Sequence, residues 1–188
     1  MPSRKRQREE AEAPLTDDRG RSHPGYRDYR FYSEQRYWQQ RHTLDRSFEW
    51  FLTGTAQLMP LLDLLLAPDR LDSRVLDLGC GTSSLLSDMR AAGYTGQLRG
   101  VDFSPRAVSC CSAAARAAGH GAATPSFHCA DAANLSSLVG DGDVDVVVDK
   151  ATLHGIFSSP RGEQIAARVL SEVHRIMADG GMLLSISG

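Results

Sequence analysis

The sequence lacks a large excess of either charge, and it lacks any long apolar run. Its 21 basic and 23 acidic residues give a formal net charge of −2, so no overall positive field would draw it to nucleic acid. The longest apolar stretch, Leu61 to Leu66, is interrupted by Asp63 and followed by Pro68, and it is too short to cross a bilayer. We therefore expect neither a nucleic-acid partner nor a membrane partner.

Cysteine is also scarce. The four cysteines show no CxxC spacing and no obvious pairing; they are Cys80, Cys110, Cys111 and Cys129. This pattern indicates a reduced intracellular protein rather than a disulfide framework. We interpret the cysteines as small core residues and expect no metal site.

Residues 1–25 are rich in charge, proline and glycine, and they show no apolar period. We predict that they form a disordered tail and that residues 26–188 form one domain. The tail lacks the apolar stretch of a secretory signal, and its glutamates argue against a mitochondrial transit peptide. The basic cluster Arg4 to Arg8 is a candidate nuclear localisation signal, although such clusters are also common in solvated tails. We expect a cytoplasmic protein, with a nuclear location as the alternative.

Beyond the tail, most of the aromatic residues lie between Tyr26 and Leu52, a density that predicts a segment folded back onto the domain. From Arg74 onward, short apolar stretches alternate with helical patterns. The predicted strands are Val75–Leu78, Leu98–Val101, Ser126–Ala130, Val144–Val148 and Met182–Ile186, and the predicted helices are Ala56–Leu66, Leu85–Ala92, Pro105 up to Gly119 and Glu163–Met177. This alternation predicts an α/β fold with a Rossmann-like, doubly wound parallel sheet and a ligand at the carboxyl ends of its strands.

The first predicted strand contains Asp77 and runs into a turn that holds Gly79 and Gly81. Such a turn brings backbone N–H groups close to a ligand, and both a dinucleotide and S-adenosylmethionine (SAM) bind there. The dinucleotide fingerprint requires a third glycine or an alanine where this chain has Ser84, and Asp77 would repel a pyrophosphate. The same carboxylate would attract the ammonium and sulfonium groups of SAM. The alternative is a tight turn that binds no ligand.

Acidic residues also end the second and third predicted strands. Asp102, beside Phe103, lies 21 residues after the last loop glycine, where a carboxylate accepts hydrogen bonds from ribose hydroxyls. Its alternative role, capping the next helix, suits Ser104 better. Asp131 and Ala132 follow the third strand, and we predict that they meet the adenine edge of the ligand. The alternative for Asp131 is an exposed loop position.

Asp149 and Lys150 leave the fourth predicted strand next to the switch point of the sheet. We predict that they face the substrate side of the site. The alternative is an Asp–Lys surface pair that contributes little to stability. His154 is a weaker candidate for a base, because a lone histidine is more often structural.

Taken together, these segments resemble the class I, seven-stranded, SAM-dependent methyltransferases. The resemblance rests on the segment Asp77-Leu78-Gly79-Cys80-Gly81 and on Asp102, Asp131 and Asp149. Two further segments narrow it to the eukaryotic methyltransferase-like lysine methyltransferases, which include enzymes that modify translation elongation factor 1A and citrate synthase. They are Tyr37-Trp38 with Arg41 and Phe48-Glu49-Trp50-Phe51, and Asp149-Lys150-Ala151-Thr152-Leu153. The resemblance covers about residues 37–187.

The resemblance implies SAM as the cofactor and assigns most of the site. It places Trp38 and Arg41 over the SAM pocket, with Arg41 near the methionine carboxylate. It sets Asp77 and the two loop glycines against the amino-acid part of SAM. It assigns Asp102 to the ribose and Asp131 to the adenine.

The resemblance also implies a protein substrate, such as a translation factor or a metabolic enzyme. Because methyl transfer from a sulfonium is a direct displacement at carbon, we expect no metal, and we expect a monomer. Asp149 would face the methyl group or the incoming lysine. The chain departs from the family at Ala151, where glycine is usual, at His154, where aspartate is common, and in lacking the last two strands of the sheet. The alternatives are a small-molecule methyltransferase on the same fold and a non-catalytic binding module.

Overall fold

The structure is a computed structural model of the protein, which describes residues 31–44, 55–66 and 70–187. The predictions for the tail at 1–25 and for the segment Phe48 to Phe51 lie outside these residues. The five strands are β1 Val75–Leu78, β2 Leu98–Asp102, β3 Ser126–Cys129, β4 Val144–Lys150 and β5 Met177–Ile186. The helices are α1 Gln35–Leu44, α2 Met59–Leu66, α3 Leu85–Ala91, α4 Pro105–Ala117, α5 Thr152–Phe157 and α6 Gly162–Ile176, with short 3₁₀ turns at Thr55–Gln57 and Gly121–Ala123.

The strands form one parallel sheet in the order β3-β2-β1-β4-β5. The chain builds outward from β1 through β2 to β3 and then returns to place β4 on the other side of β1. This reversal puts the switch point of the sheet between β1 and β4, where open α/β sheets bind ligands. The predicted α/β fold is confirmed: the described residues form a parallel sheet of five strands with helices between them.

Two apolar clusters cover the two faces of the sheet. Successive residues of a strand point to opposite faces. The three consecutive valines of β4 divide in this way, with Val147 in one cluster and Val146 and Val148 in the other. The first cluster is completed mainly by α6, and the second by α2 and α3. A strand that is buried on both faces is apolar along nearly its whole length, which explains why β4 could be predicted from the sequence.

Helix α4 begins as the sequence predicted. Ser104 has extended backbone angles, its Oγ accepts a hydrogen bond from the N–H of Ala107 at 3.3 Å, and Pro105 occupies the first helical position. The hydroxyl thereby satisfies one of the otherwise unpaired N–H groups of the first turn.

Strand β5 begins earlier than predicted. Met177 pairs with Val144, and regular pairing resumes only at Met182 opposite Val146, so residues 178–181 loop out opposite a single residue. Gly180 permits this loop, with a φ of 73°. The predicted break at Gly180 is therefore a bulge within the strand rather than a boundary before it.

Three further differences concern helices. The predicted helix Ala56–Leu66 is a 3₁₀ turn followed by α2. Neither α1 nor the short helix α5 was predicted. No helix in the three described ranges is long and apolar enough to cross a membrane.

Candidate cofactor site

A cavity of about 570 Å³ lies at the carboxyl ends of β1 to β4. This volume is typical of small-molecule sites, which span roughly 300 to 1,000 Å³. Most of the predicted site residues line it; they are Trp38, Asp77, Gly79, Gly81, Asp102, Phe103, Asp131, Ala132 and Lys150. Arg41 and Asp149 do not belong to this lining.

The glycine turn after β1 is fixed by close packing against the start of α5. Gly79 has a φ of 69°, and a Cβ at this position would lie 2.0 Å from Thr152 Oγ1. That hydroxyl donates a hydrogen bond to the carbonyl of Leu78 at 2.9 Å. Both the backbone angle and the space therefore require glycine at position 79.

Asp102 joins the glycine turn to the start of α4. The residue is 7% exposed, and its carboxylate accepts hydrogen bonds from the N–H of Gly81 at 2.9 Å and from the N–H of Ser104 at 2.7 Å. Burial raises the pKa of Asp102 above its ordinary value, although these two N–H groups act in the opposite direction. A carboxylate has about four acceptor sites, so capacity remains for ligand hydroxyls.

Asp77 supplies a second buried carboxylate at the end of β1. It is 3% exposed and lines the cavity. Nearby in the turn, the Oγ1 atom of Thr82 is buried and has no hydrogen-bond partner in the structure. Because buried polar groups are almost always paired, an atom of this kind on a cavity wall indicates a ligand that completes the pairing.

The far end of the cavity is formed by Phe103 and the loop after β3. One carboxylate oxygen of Asp131 accepts a hydrogen bond from the N–H of Ala133 at 2.9 Å, which fixes the side chain, and the residue is exposed. Ala132 lies beside it in the lining. The predicted meeting of Asp131 and Ala132 with an adenine edge stays a prediction, and their place at this end of the cavity is compatible with it.

Helix α1 lies over the glycine turn. The ring of Trp38 stacks on that of His42 with centroids 5.8 Å apart, and a Cβ at Gly81 would lie 3.5 Å from His42 Cε1. The indole N–H of Trp38 donates to the carbonyl of Tyr32 at 2.8 Å. Arg41, on the same helix, is half-buried and does not line the cavity, so the structure does not place it with the other predicted cofactor residues.

Asp149 is placed differently from the prediction. Its side chain is 0% exposed, and one oxygen accepts hydrogen bonds from the N–H groups of Thr152 and Leu153 at 2.9 and 3.1 Å. The other accepts from the hydroxyl of Ser185 at 2.6 Å. The carboxylate therefore holds the first turn of α5 and the edge strand β5, and this geometry favours a positioning role over the predicted contact with the methyl group or the lysine.

Two residues after Asp149, the backbone adopts an unusual conformation. Ala151 has a φ of 73°, in the left-handed region that favours glycine. Lys150 lines the cavity, and its place on the substrate side stays a prediction. His154 lies on α5 outside the lining. In the described ranges, no group of three or more His, Cys, Asp or Glu residues is arranged to hold a metal ion.

Residues 70–187 match the family described as a methyltransferase domain. The chain belongs to this family. It is 33% identical over 160 residues to Methyltransferase srdJ of Neurospora crassa, covering 83% of this chain and 66% of that protein. It is also 33% identical over 153 residues to the mitochondrial citrate synthase-lysine N-methyltransferase of Homo sapiens, covering 75% of this chain and 62% of that protein.

Another relative, EEF1A lysine methyltransferase 4 of Mus musculus, is 29% identical over 167 residues, covering 83% of this chain and 61% of its own length. The chain thus spans 61 to 66% of the length of these three relatives. Among solved structures, the PH0226 protein of Pyrococcus horikoshii OT3 aligns with a TM-score of 0.58 at 20% identity, over 76% of this chain and 62% of that one, which shows a shared fold. The resemblance drawn from the sequence is confirmed.

The methyltransferase family implies SAM as the cofactor, and the cavity residues fit it. Asp77 and Asp102 are the groups expected opposite an ammonium and a pair of hydroxyls. Thr82 offers an unpaired hydroxyl, and Phe103 offers an apolar ring at the other end. SAM carries no phosphate and therefore needs no phosphate-binding cation, and the glycine turn contains none.

Several residues that line the cavity were not predicted from the sequence. Gln35 and His42 lie on α1 at positions three before and four after Trp38, so the helical spacing around that tryptophan was an available signal. Arg168 on α6 and Cys129 at the end of β3 also line the cavity. Their contribution depends on how helix and strand pack, which local sequence does not reveal.

Proposed function

We propose that this protein transfers a methyl group from SAM to the side-chain amine of a protein lysine. The observation that carries methyl transfer is the cavity at the switch point, which brings Asp77, Asp102 and the unpaired hydroxyl of Thr82 together in a chain of the methyltransferase family. The lysine acceptor is supported by relatives named for lysine methylation of citrate synthase and EEF1A. We infer that Lys150, which ends β4 and lines the cavity, faces the acceptor.

When bound, SAM supplies a methyl group on a sulfonium, which is a good leaving group. The chain has to orient the two reactants, exclude water and favour a neutral acceptor amine. Asp77 and Asp102 hold the cofactor side, while Trp38 and His42 cover the glycine turn. The ammonium of Lys150 disfavours a second positive charge nearby, so it lowers the pKa of an acceptor amine and helps its proton leave to solvent.

Asp149 acts in this proposal through the elements that it joins. By holding the first turn of α5 it fixes the segment of Lys150 and Thr152, which line the cavity. It is a positioning residue rather than a group that contacts the acceptor.

Two other functions compete with lysine methylation. A small-molecule acceptor would suit the same cofactor site, and the name of the Neurospora crassa relative specifies no protein substrate. A non-catalytic binding module would suit a chain with five described strands. We also propose that the protein works as a monomer in the cytoplasm or nucleus and binds no nucleic acid, in line with its net charge of −2.

The test is a calorimetric titration of the purified chain with S-adenosylhomocysteine, the product form of the cofactor, alongside Asp102→Ala and a matched control, Asp179→Ala. Asp179 is exposed in the bulge of β5, at the opposite end of the sheet. We expect binding by wild type and by the control and about a tenfold or greater weakening in Asp102→Ala, since hydrogen bonds to a charged group contribute roughly 1.5–3 kcal/mol.

A screen of radiolabelled methyl transfer to proteins and small molecules then identifies the acceptor class. Label on protein lysines supports the proposal, and label confined to small molecules selects the first alternative. A folded wild type that binds no S-adenosylhomocysteine would sink the enzyme assignment altogether.

A further inference from the structure

Gln39 on α1 makes a hydrogen-bonded bridge to the start of α4. Its side-chain oxygen accepts from the hydroxyl of Ser104 at 2.9 Å and from the backbone N–H of Arg106 at 3.2 Å. A backbone amide can only donate, so the amide of Gln39 has to present its oxygen here. We call this pair of contacts the Gln39 bridge.

The Gln39 bridge lies next to the cofactor cavity without lining it. Ser104 caps α4 and directly follows Asp102 and Phe103, which do line the cavity. One turn earlier on α1, the side-chain amide of Gln35 donates a hydrogen bond to the carbonyl of Phe103. Two side chains one turn apart therefore fasten the same face of α1 to the segment that follows β2.

The residues that α1 presents to the cavity depend on this fastening. Trp38 precedes Gln39 directly, and His42 lies three residues after it, above the glycine turn. Contacts between α1 and α4 are among the main packing contacts of α1 in the described part of the chain. Loss of the bridge would free α1 to move away from the cavity while leaving the sheet and both core clusters intact.

We propose that Gln39 is a positioning residue that holds α1 over the cavity and so sets how long the cofactor stays bound. The proposal rests on the assignment of the cavity to SAM. It concerns a side chain outside the cavity lining, and it requires only an oxygen acceptor at position 39.

Three substitutions separate that requirement from packing. Gln39→Met keeps the length of the side chain but removes the strong acceptor, and Gln39→Ala removes both. Gln39→Glu keeps the oxygen, and a carboxylate is favoured near the N-terminus of a helix. The matched control is Gln40→Met, the same change one position along the same helix.

The measurement is the dissociation rate of S-adenosylhomocysteine, recorded in a stopped-flow displacement experiment. Cooperative thermal unfolding of each ligand-free variant checks that the variant is folded. We expect the rate to rise about tenfold in Gln39→Met and in Gln39→Ala, the factor that corresponds to about 1.4 kcal/mol. We expect the rates of Gln39→Glu and Gln40→Met to stay within about twofold of the wild-type rate. The free energy equivalent to such a ratio is smaller than that of one hydrogen bond.

The outcomes are distinguishable. An unchanged rate in Gln39→Met overturns the proposal, as does an equal acceleration in Gln39→Met and Gln39→Glu, which would show that the acceptor is not what matters. An equal acceleration in the Gln40→Met control overturns it too, because α1 would then be sensitive to any change. A wild type that binds no S-adenosylhomocysteine overturns the cofactor assignment and this inference with it.

Discussion

Replacing Asp149 with alanine tests whether this carboxylate positions the chain or takes part in the reaction. The substitution leaves the N–H groups of Thr152 and Leu153 without their acceptor and removes the partner of the Ser185 hydroxyl. Each buried group left unsatisfied costs about 1–3 kcal/mol, and water entering the vacated space offsets part of this. We expect a total loss of about 3 kcal/mol in the free energy of unfolding at pH 7.

For a domain of this size, such a loss lowers the melting temperature by about 6–12 °C. Differential scanning calorimetry and urea unfolding of wild type, Asp149→Ala and Asp149→Asn measure it. The asparagine variant keeps one oxygen for the two N–H groups and an amide for Ser185, so we expect it to retain most of the stability.

The pH dependence gives a second readout of the same residue. Burial raises the pKa of Asp149 above its ordinary value, against the opposing hydrogen bonds from Ser185, Leu153 and Thr152. A carboxyl whose pKa is higher in the folded state stabilises the fold below its unfolded pKa of about 4, and this contribution is lost as pH rises through the folded pKa. The stability of Asp149→Asn relative to wild type should therefore increase from pH 4 to pH 7.

The reasoning is refuted if Asp149→Ala unfolds like wild type and loses turnover while binding S-adenosylhomocysteine normally. That result would restore the role predicted from the sequence, contact with the methyl group or the lysine.

The remaining predictions concern backbone strain and one ion pair. Ala151→Gly should raise the free energy of unfolding by about 1 kcal/mol, because it relieves a left-handed backbone angle, and thermal unfolding measures it. Gly79→Ala should lower stability by clearly more than Gly180→Ala in parallel urea titrations: the two glycines have φ of 69° and 73°, but only Gly79 faces a clash. Equal effects would show that the close approach at Gly79 is not rigid. Arg74→Met should lower the free energy of unfolding by up to about 1 kcal/mol, a value discounted for the exposure of the pair. Because hydrogen bonding to Arg74 lowers the pKa of Asp145, this loss should be full above pH 4 and should shrink as pH falls below it. Unfolding curves recorded at pH 3 and pH 7 measure the difference.

Much of the sheet, and the part of the site near the glycine turn, were predictable because both follow from strand geometry. Parallel strands end at one edge, so Asp77 and Asp102, each at the carboxyl end of a strand, had to meet near the glycine turn. Ser104 followed by Pro105 marked the start of α4 without any tertiary information.

Asp149 shows what that reasoning leaves out. Its hydrogen bond to Ser185, however, joins residues 36 apart in sequence, and only the packing of β4 against β5 reveals it. Gln39 was missed for the same reason, since its contact with α4 is decided by tertiary packing.

Thr152 connects the cofactor side of the site with the segment of Lys150, through its hydroxyl and its backbone N–H. Its N–H is held by Asp149, and its hydroxyl is bonded to the carbonyl of Leu78 at the root of the glycine turn. The turn that meets the cofactor and the helix beside Lys150 therefore cannot shift independently. We expect the binding of cofactor and acceptor to be thermodynamically linked, with each changing the affinity of the other by the same factor. In that respect Thr152, which also lines the cavity, couples the two sides of the site.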